Sequence, residues 1–346
     1  MWTQVFPVRQ LPRRFLAGLA GALLLGAPAL AEYPERIISL IVAYGPGGAT
    51  DIAARTLTAV LDPQVAEPIL VVNRTGNGGV SGTASVLGAS GDGYTMLVAR
   101  VGSHSVNPAL HADLPYTLDD FRFVGVFELN PVVCATHPDS GLDSMAAVAE
   151  QANDEPGSVS FSSSGVGSLL HLAGAMVLKT HGVDNPMDRA IHLPLRGGGE
   201  AATAVLSGDA TFICANSSAL AGFVQNGQLQ PLLTTSKVPL AGFDAPTVAE
   251  LGHPELEILV GWSAIAGPAD LSDEAASAWA RWLGEIVENP DFVGPMEARG
   301  SVVTLMSPEA SVDFIRTQKA AFAELVTRLG MRAEEDESSP AASDSE

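Results

Sequence analysis

Basic residues are scarce: 18 Lys and Arg stand against 39 Asp and Glu in 346 residues, a formal charge of −21. Binding to a phosphate backbone needs a basic face, so no nucleic-acid partner is expected. Cysteine is scarcer still. The two present, Cys134 and Cys214, exclude a disulfide-dense scaffold, and each falls in an apolar, strand-like stretch. Two buried free thiols are therefore expected, with a disulfide as the alternative in an oxidising compartment. Neither belongs to a CxxC, and Cys134 with His137 alone makes no metal site. The nucleotide and hydrolase patterns GxxxxGK[ST], HExxH and GxSxG are missing as well. The serine run Ser162-Ser163-Ser164 has no partnered base marked in the sequence. Gly76 to Gly82 reads GxGxxxG, which departs from the dinucleotide fingerprint. No catalytic group, cofactor or metal is thus expected. Beyond the N-terminus, no apolar stretch approaches the roughly 18 uninterrupted residues of a membrane-spanning helix, so the mature chain is expected to be soluble.

What is present begins with an export signature over residues 1–31. Arg9, Arg13 and Arg14 precede an apolar run from Phe15 to Leu30, and Ala29-Leu30-Ala31 offers a small-x-small cleavage site. Periplasmic localisation follows as an expectation. Removing three Arg and no acid takes the mature charge from −21 to −24. At the other end, residues 333–346 carry six acids and no large apolar side chain, which predicts a disordered acidic tail.

Between these ends, short apolar runs alternate with amphipathic ones. The run from Ile37 to Ala43 suits a strand buried on both faces. It ends in Gly45-Pro46-Gly47-Gly48, and a helix follows with Thr50 or Asp51 as N-cap and Ala53, Leu57, Val60 and Leu61 on one face. Strands are expected at Ile69–Asn73, Thr95–Ala99, Pro131–Thr136, Val159–Ser162, Ile191–Leu195 and Thr211–Asn216, separated by helices. The pattern predicts an α/β chain with two units, each a mostly parallel sheet flanked by helices.

Three strand-to-helix turns are rich in small residues: Tyr44 to Asp51, Ala49 included; Ser162, Ser163, Ser164 and Gly165, running on to Gly167; and Arg196 and Gly197, running on to Glu200. Such turns expose amide donors at the positive end of a helix, where an anion is favoured. They also fall at the carboxyl ends of strands, where open α/β sheets bind ligands. His104 and His171 lie near these turns, beside Ser103 and Asn216, whereas His111, His137, His181, His192 and His253 read as loop or surface residues. Trp262 suits either the cleft or the core.

The segments YPERIISLIVAYGPGGATDIAARTL and VVNRTGNGGVSGTASVLGASGDGYTMLVA resemble the opening of the TctC/Bug-type substrate-binding proteins of tripartite tricarboxylate transporters. SHSVNPAL, LPYTLDDF, FSSSGVGSLLHLAGAMV, GGGEAATAVLSGDATFICANSSAL and APTVAELGHPELEILVGWSAIAGP continue that succession of blocks from about Tyr33 to Gly330. The resemblance implies a two-lobed periplasmic-binding-protein fold that closes on a small carboxylate and hands it to membrane transporter subunits. It also implies a monomer, with crossing strands as hinge, lobe 1 formed by residues 32–128 and 258–332, and lobe 2 by 129–257. The Tyr44 to Asp51 and Ser162 to Gly165 turns would grip the carboxylate. Arg100 stands where the family usually has a small polar residue, and Arg196 replaces a frequent Lys. Either could pair a second carboxylate of a di- or tricarboxylate through a bidentate fork. A ligand-presenting adaptor for a sensor kinase and an exported enzyme are the rival readings.

Overall fold

The computed structural model describes residues 1–4 and 33–328. Apart from Met1 to Gln4, the export signature lies outside the described residues, as does the acidic tail. The chain from Tyr33 onward forms one unit. Among the described residues the strands are β1 (Ile38–Val42), β2 (Ile69–Asn73), β3 (Thr95–Arg100), β4 (Phe121–Thr136), β5 (Val159–Ser163), β6 (Ala190–Pro194), β7 (Phe212–Asn216), β8 (Gln230–Thr234), β9 (Val260–Pro268) and β10 (Val302–Val303). The helices are α1 (Ala49–Leu61), α2 (Val80–Ala84), α3 (Asn107–Leu110), α4 (Met145–Asp154), α5 (Leu169–Thr180), α6 (Pro186–Arg189), α7 (Gly198–Leu206), α8 (Ser217–Gln225), α9 (Asp273–Ile286), α10 (Pro290–Glu297) and α11 (Pro308–Arg328).

The strands form one curled sheet in the order β2-β1-β3-β9-β4-β7-β5-β6, with β8 and β10 also paired to β4. The outer runs β2-β1-β3 and β6-β5-β7 are parallel. The outer runs are the mostly parallel sheets expected of each unit, and the crossing strands between them are antiparallel: β9 lies antiparallel to both β3 and β4, and β4 antiparallel to β7, β8 and β10. The reason is that β4 and β9 traverse the middle of the sheet in opposite directions. Pro131 marks the place where β4 changes neighbours. Up to Pro131 its partner is β9, and from Val132 it pairs with β7. A proline has no N–H to give a ladder, so it fits a point where pairing is handed over.

The helices cover the sheet by the periodicity expected of them. Ala53, Leu57 and Leu61 of α1 are fully buried and join Ile38, Leu40, Trp279, Leu283 and Phe292 in one core. A larger core gathers α4, α5, α7 and α11 around β4, β5 and β7. The two cysteines are not free thiols. Cys134 and Cys214 are bonded to each other, because they occupy directly opposed positions in the β4–β7 ladder, a register that their separation in sequence does not disclose. His192 also departs from the surface reading. It sits on β6 with its ring stacked on His171, centroids 3.9 Å apart.

Candidate functional site

Helix α1 starts earlier than the sequence suggests. Its N-cap is Gly48, which has no side chain to offer the first-turn amides. Thr50 and Asp51 lie inside the first turn instead of capping it. The Asp51 carboxylate turns back to accept the Gly47 N–H at 3.0 Å and pairs with Arg55 and Asn73. Those hydrogen bonds hold it below the usual carboxylate range against the opposing effect of its own burial. Helix α7 repeats the arrangement with Gly197 as N-cap. Helix α8 is capped by position only by Asn216, whose side chain is occupied elsewhere. Helices α1 and α7 therefore leave their first amides without a side-chain cap, whereas Asn130 Oδ1 accepts the Ser218 N–H of α8 at 3.3 Å and Ser168 accepts from His171 N–H and caps α5 itself.

These ends converge on one cavity. It encloses about 520 Å³ of empty space, part of it open to solvent, and is lined from the carboxyl ends of β1, β3, β5, β6 and β7. The two glycine turns meet across its mouth: a Cβ on Gly199 would lie 3.7 Å from the Gly47 carbonyl, and one on Gly45 3.5 Å from the Arg196 carbonyl. A Cβ at either place would make ordinary van der Waals contact, so the two turns lie about one methyl group apart.

Of the residues singled out in the sequence, Tyr44, Gly48, Ala49, Thr50, Arg100, Ser164, Gly197 and Asn216 line the cavity. Gly45, Pro46 and Gly47 shape the turn beside it. Ser162 and Ser163 lie beneath the lining, Ser162 Oγ donating to the Ala201 carbonyl and Ser163 Oγ lying 2.6 Å from His192 Nε2. Gly165 carries the turn at φ 123° and donates its N–H to Ser163 Oγ. His171 Nδ1 accepts the Gly167 N–H at 3.0 Å, so the ring supports the turn from behind. His104, buried among Tyr116, Phe121, Phe123 and Trp262, lies 2.8 Å from Ser103 Oγ through Nδ1. Burial pushes it down to about 3. Trp262 is a core residue whose indole N–H donates to Gln318. Arg196 is exposed and outside the lining.

Sequence reasoning missed Val101, Gly102, Ser168, Leu169, Leu170, Gly198, Ala215 and Ala219, which complete the wall. Gly198 had a visible signal, being part of the glycine turn already noted, and Ser168 directly follows the serine turn. The apolar ones carried none. Gly102 has a specific reason to be glycine: a Cβ there would come within 2.3 Å of the Tyr44 hydroxyl, and one on Gly79 within 2.8 Å of the same ring. Two glycines thus make room for Tyr44, whose buried hydroxyl has no hydrogen-bond partner. Burial raises that phenol to about 12, with Arg100 pulling the other way, so it stays a proton donor.

Arg100, 3% exposed, forms the floor. One guanidinium nitrogen donates to Ser263 Oγ at 2.8 Å and another to Asn216 Oδ1 at 3.0 Å. Among the described residues no group of three or more His, Cys, Asp or Glu is placed to hold a metal. The arrangement offers amides, a phenol, hydroxyls and one guanidinium, all hydrogen-bond donors suited to an anion.

Residues 53–331 match the TctC model, described as the tripartite tricarboxylate transporter family receptor. The chain is 30% identical over 312 residues to protein BugT of Bordetella pertussis, covering 89% of this chain and 94% of that protein. The structure of the periplasmic binding protein BugD superimposes with a TM-score of 0.80 at 25% identity, covering 87% of this chain and 99% of that one. MatC from Rhodopseudomonas palustris, solved with bound malate, gives 0.78 at 20% identity, covering 85% and 100%. The two-lobed α/β architecture implied by the sequence resemblance is the fold these structures share with this chain.

Proposed function

The chain belongs to the tripartite tricarboxylate transporter receptor family, and from that premise we propose that it captures a small di- or tricarboxylate in the periplasm and delivers it to membrane transporter subunits. One carboxylate is held by the uncapped amides of α1 and α7 together with the Tyr44 hydroxyl. The second meets Arg100, because a buried guanidinium gives a planar fork of donors that matches it. The carrying observation is the convergence of two uncapped helix N-termini, those of α1 and α7, and Arg100 on one cavity. The malate held by MatC supports the ligand class.

In this reading residues 32–128 and 258–332 form lobe 1 and residues 129–257 form lobe 2, β4 and β9 being the hinge strands. The ligand touches both lobes and so favours the closed form by contacts available only there. The protein acts as an exported monomer after removal of residues 1–31, and it binds without transforming its ligand.

A thermal-shift or calorimetric screen of carboxylates, on protein unfolded and refolded to strip carried-over ligand, tests the proposal. A true ligand at 100 times its Kd adds about 2.7 kcal/mol of apparent stability. Arg100→Ala should weaken a dicarboxylate while Arg196→Ala leaves it unchanged. Equal affinities of the two variants would remove Arg100 from the site.

A further inference from the structure

Behind the cavity floor lies a carboxylate that the ligand does not reach. Glu128, on β4, is fully buried and absent from the lining. Its Oε2 accepts from Ser263 Oγ at 2.8 Å, and the same hydroxyl accepts from Arg100 at 2.8 Å. A hydroxyl has one proton to give. Since that proton goes to the carboxylate, the chain of donors runs in one direction, from Arg100 through Ser263 to Glu128. The other oxygen, Oε1, is held by Asn130 Nδ2 and by Ser301 Oγ at 3.1 Å. Neither Arg100 nor Glu128 forms a direct ion pair with any described residue. Two opposite charges are therefore buried together, linked by one serine, with each as the other's counter-ion.

We propose that Glu128 is a specificity-determining residue that sets how strongly the site accepts a second negative charge. The inference rests on the carboxylate reading above and deepens it. A ligand carboxylate arriving at Arg100 finds a guanidinium already balanced by an anion on its far side. It gains the attraction of Arg100 and meets the repulsion of Glu128 in a buried setting, where charges are poorly screened. A ligand that ends in a methyl or hydroxyl carries no second charge and is nearly indifferent to Glu128. Removing the charge of Glu128 thus strengthens dianions selectively. Its presence keeps them weak enough to be released.

The experiment uses matched probe pairs, butanoate with succinate and hexanoate with adipate, with Kd measured calorimetrically on the refolded protein and on Glu128→Gln. The dicarboxylate-to-monocarboxylate affinity ratio should rise on the order of tenfold in Glu128→Gln, the dicarboxylate moving and the monocarboxylate staying nearly fixed. Ser263→Ala keeps both charges but cuts the link between them. It should move the ratio in the same direction by a smaller factor, and it keeps the test open if Glu128→Gln does not fold. A ratio unchanged in the folded variants, or a fall in affinity common to both probe types, makes Glu128 a merely structural residue and overturns the proposal. Carboxylates that bind without a change in ratio leave the parent reading standing. Failure of every carboxylate to bind defeats both.

Discussion

At the rim of the cavity the donors are backbone amides at the starts of α1 and α7, whereas at its floor the donor is the guanidinium of Arg100, held by Ser263 and Asn216 and, one step back, by the accepting carboxylate of Glu128. Rim donors need only small residues at a strand-to-helix turn, and they point at an anion whatever the rest of the ligand is. Floor donors depend on residues from β3, β4, β7 and β9 arriving at one place. On the proposed reading, the contrast would assign capture of a carboxylate to the rim and choice among carboxylates to the floor.

The contrast is broken most severely by loosening the sheet under the floor. The disulfide joins β4 to β7 two residues before Asn216 and closes a span of 80 residues. On chain-entropy grounds its removal costs about 4–5 kcal/mol. Thermal unfolding of Cys134→Ala/Cys214→Ala should show a correspondingly lower Tm, and an unchanged Tm would mean that the packing of β4 on β7 suffices. Nearly as large is the effect of Arg100→Met, which strands the Glu128 charge in the interior at a cost of about 3–5 kcal/mol. Adding Glu128→Gln should restore much of that loss in urea unfolding. A double variant no more stable than the single one would show that the two charges are not each other's partners.

The rim is tested with less damage. Ala49→Pro deletes one amide at the first position of α1, where proline is tolerated and the preceding Gly48 is already extended, φ −79° and ψ 166°. Loss of one charge-assisted hydrogen bond should weaken mono- and dicarboxylates alike, by roughly 10- to 100-fold, with little change in Tm. A loss confined to dicarboxylates would contradict the division between rim and floor.

The same division explains what was legible in the sequence. Glycine and serine at the ends of apolar runs announced the rim, because the backbone geometry there demands small residues within a short segment. The strands β1, β2, β3 and β7 were visible for a similar local reason. The floor was only half legible. Arg100 stood out as an oddity, but Glu128, Asn130 and Ser263 gave no local sign, since their meeting is created by the register of β4 against β9. Register also decided the Cys134–Cys214 bond, and it is a property of pairing that no single strand carries. Arg196 shows the converse: its turn was conspicuous, yet the glycine after it, not its own side chain, reaches the cavity.

The smallest effect expected separates the α5 side of the cavity from the α1 side through acid. His171 and His192 stack with an interplanar angle of 6° beneath the turn that carries Ser164. Burial holds both rings neutral, pushing His171 down to about 3, with His192 adding to the effect, and His192 down to about 4. Both folded values lie below the ordinary 6.5, so between these limits the unfolded chain binds protons that the folded chain does not. The stabilisation is complete above about pH 6.5, declines as the pH falls toward 4 to 3, and levels off below that. His104 adds a similar decline from under Arg100, so a variant is needed to isolate the α5 side. His192→Gln, which keeps a polar partner for Ser163 but cannot be protonated, should flatten the fall of Tm between pH 6.5 and 4 without abolishing it. A Tm profile identical to that of the unaltered protein would show that the histidine pair does not set the acid sensitivity of this turn.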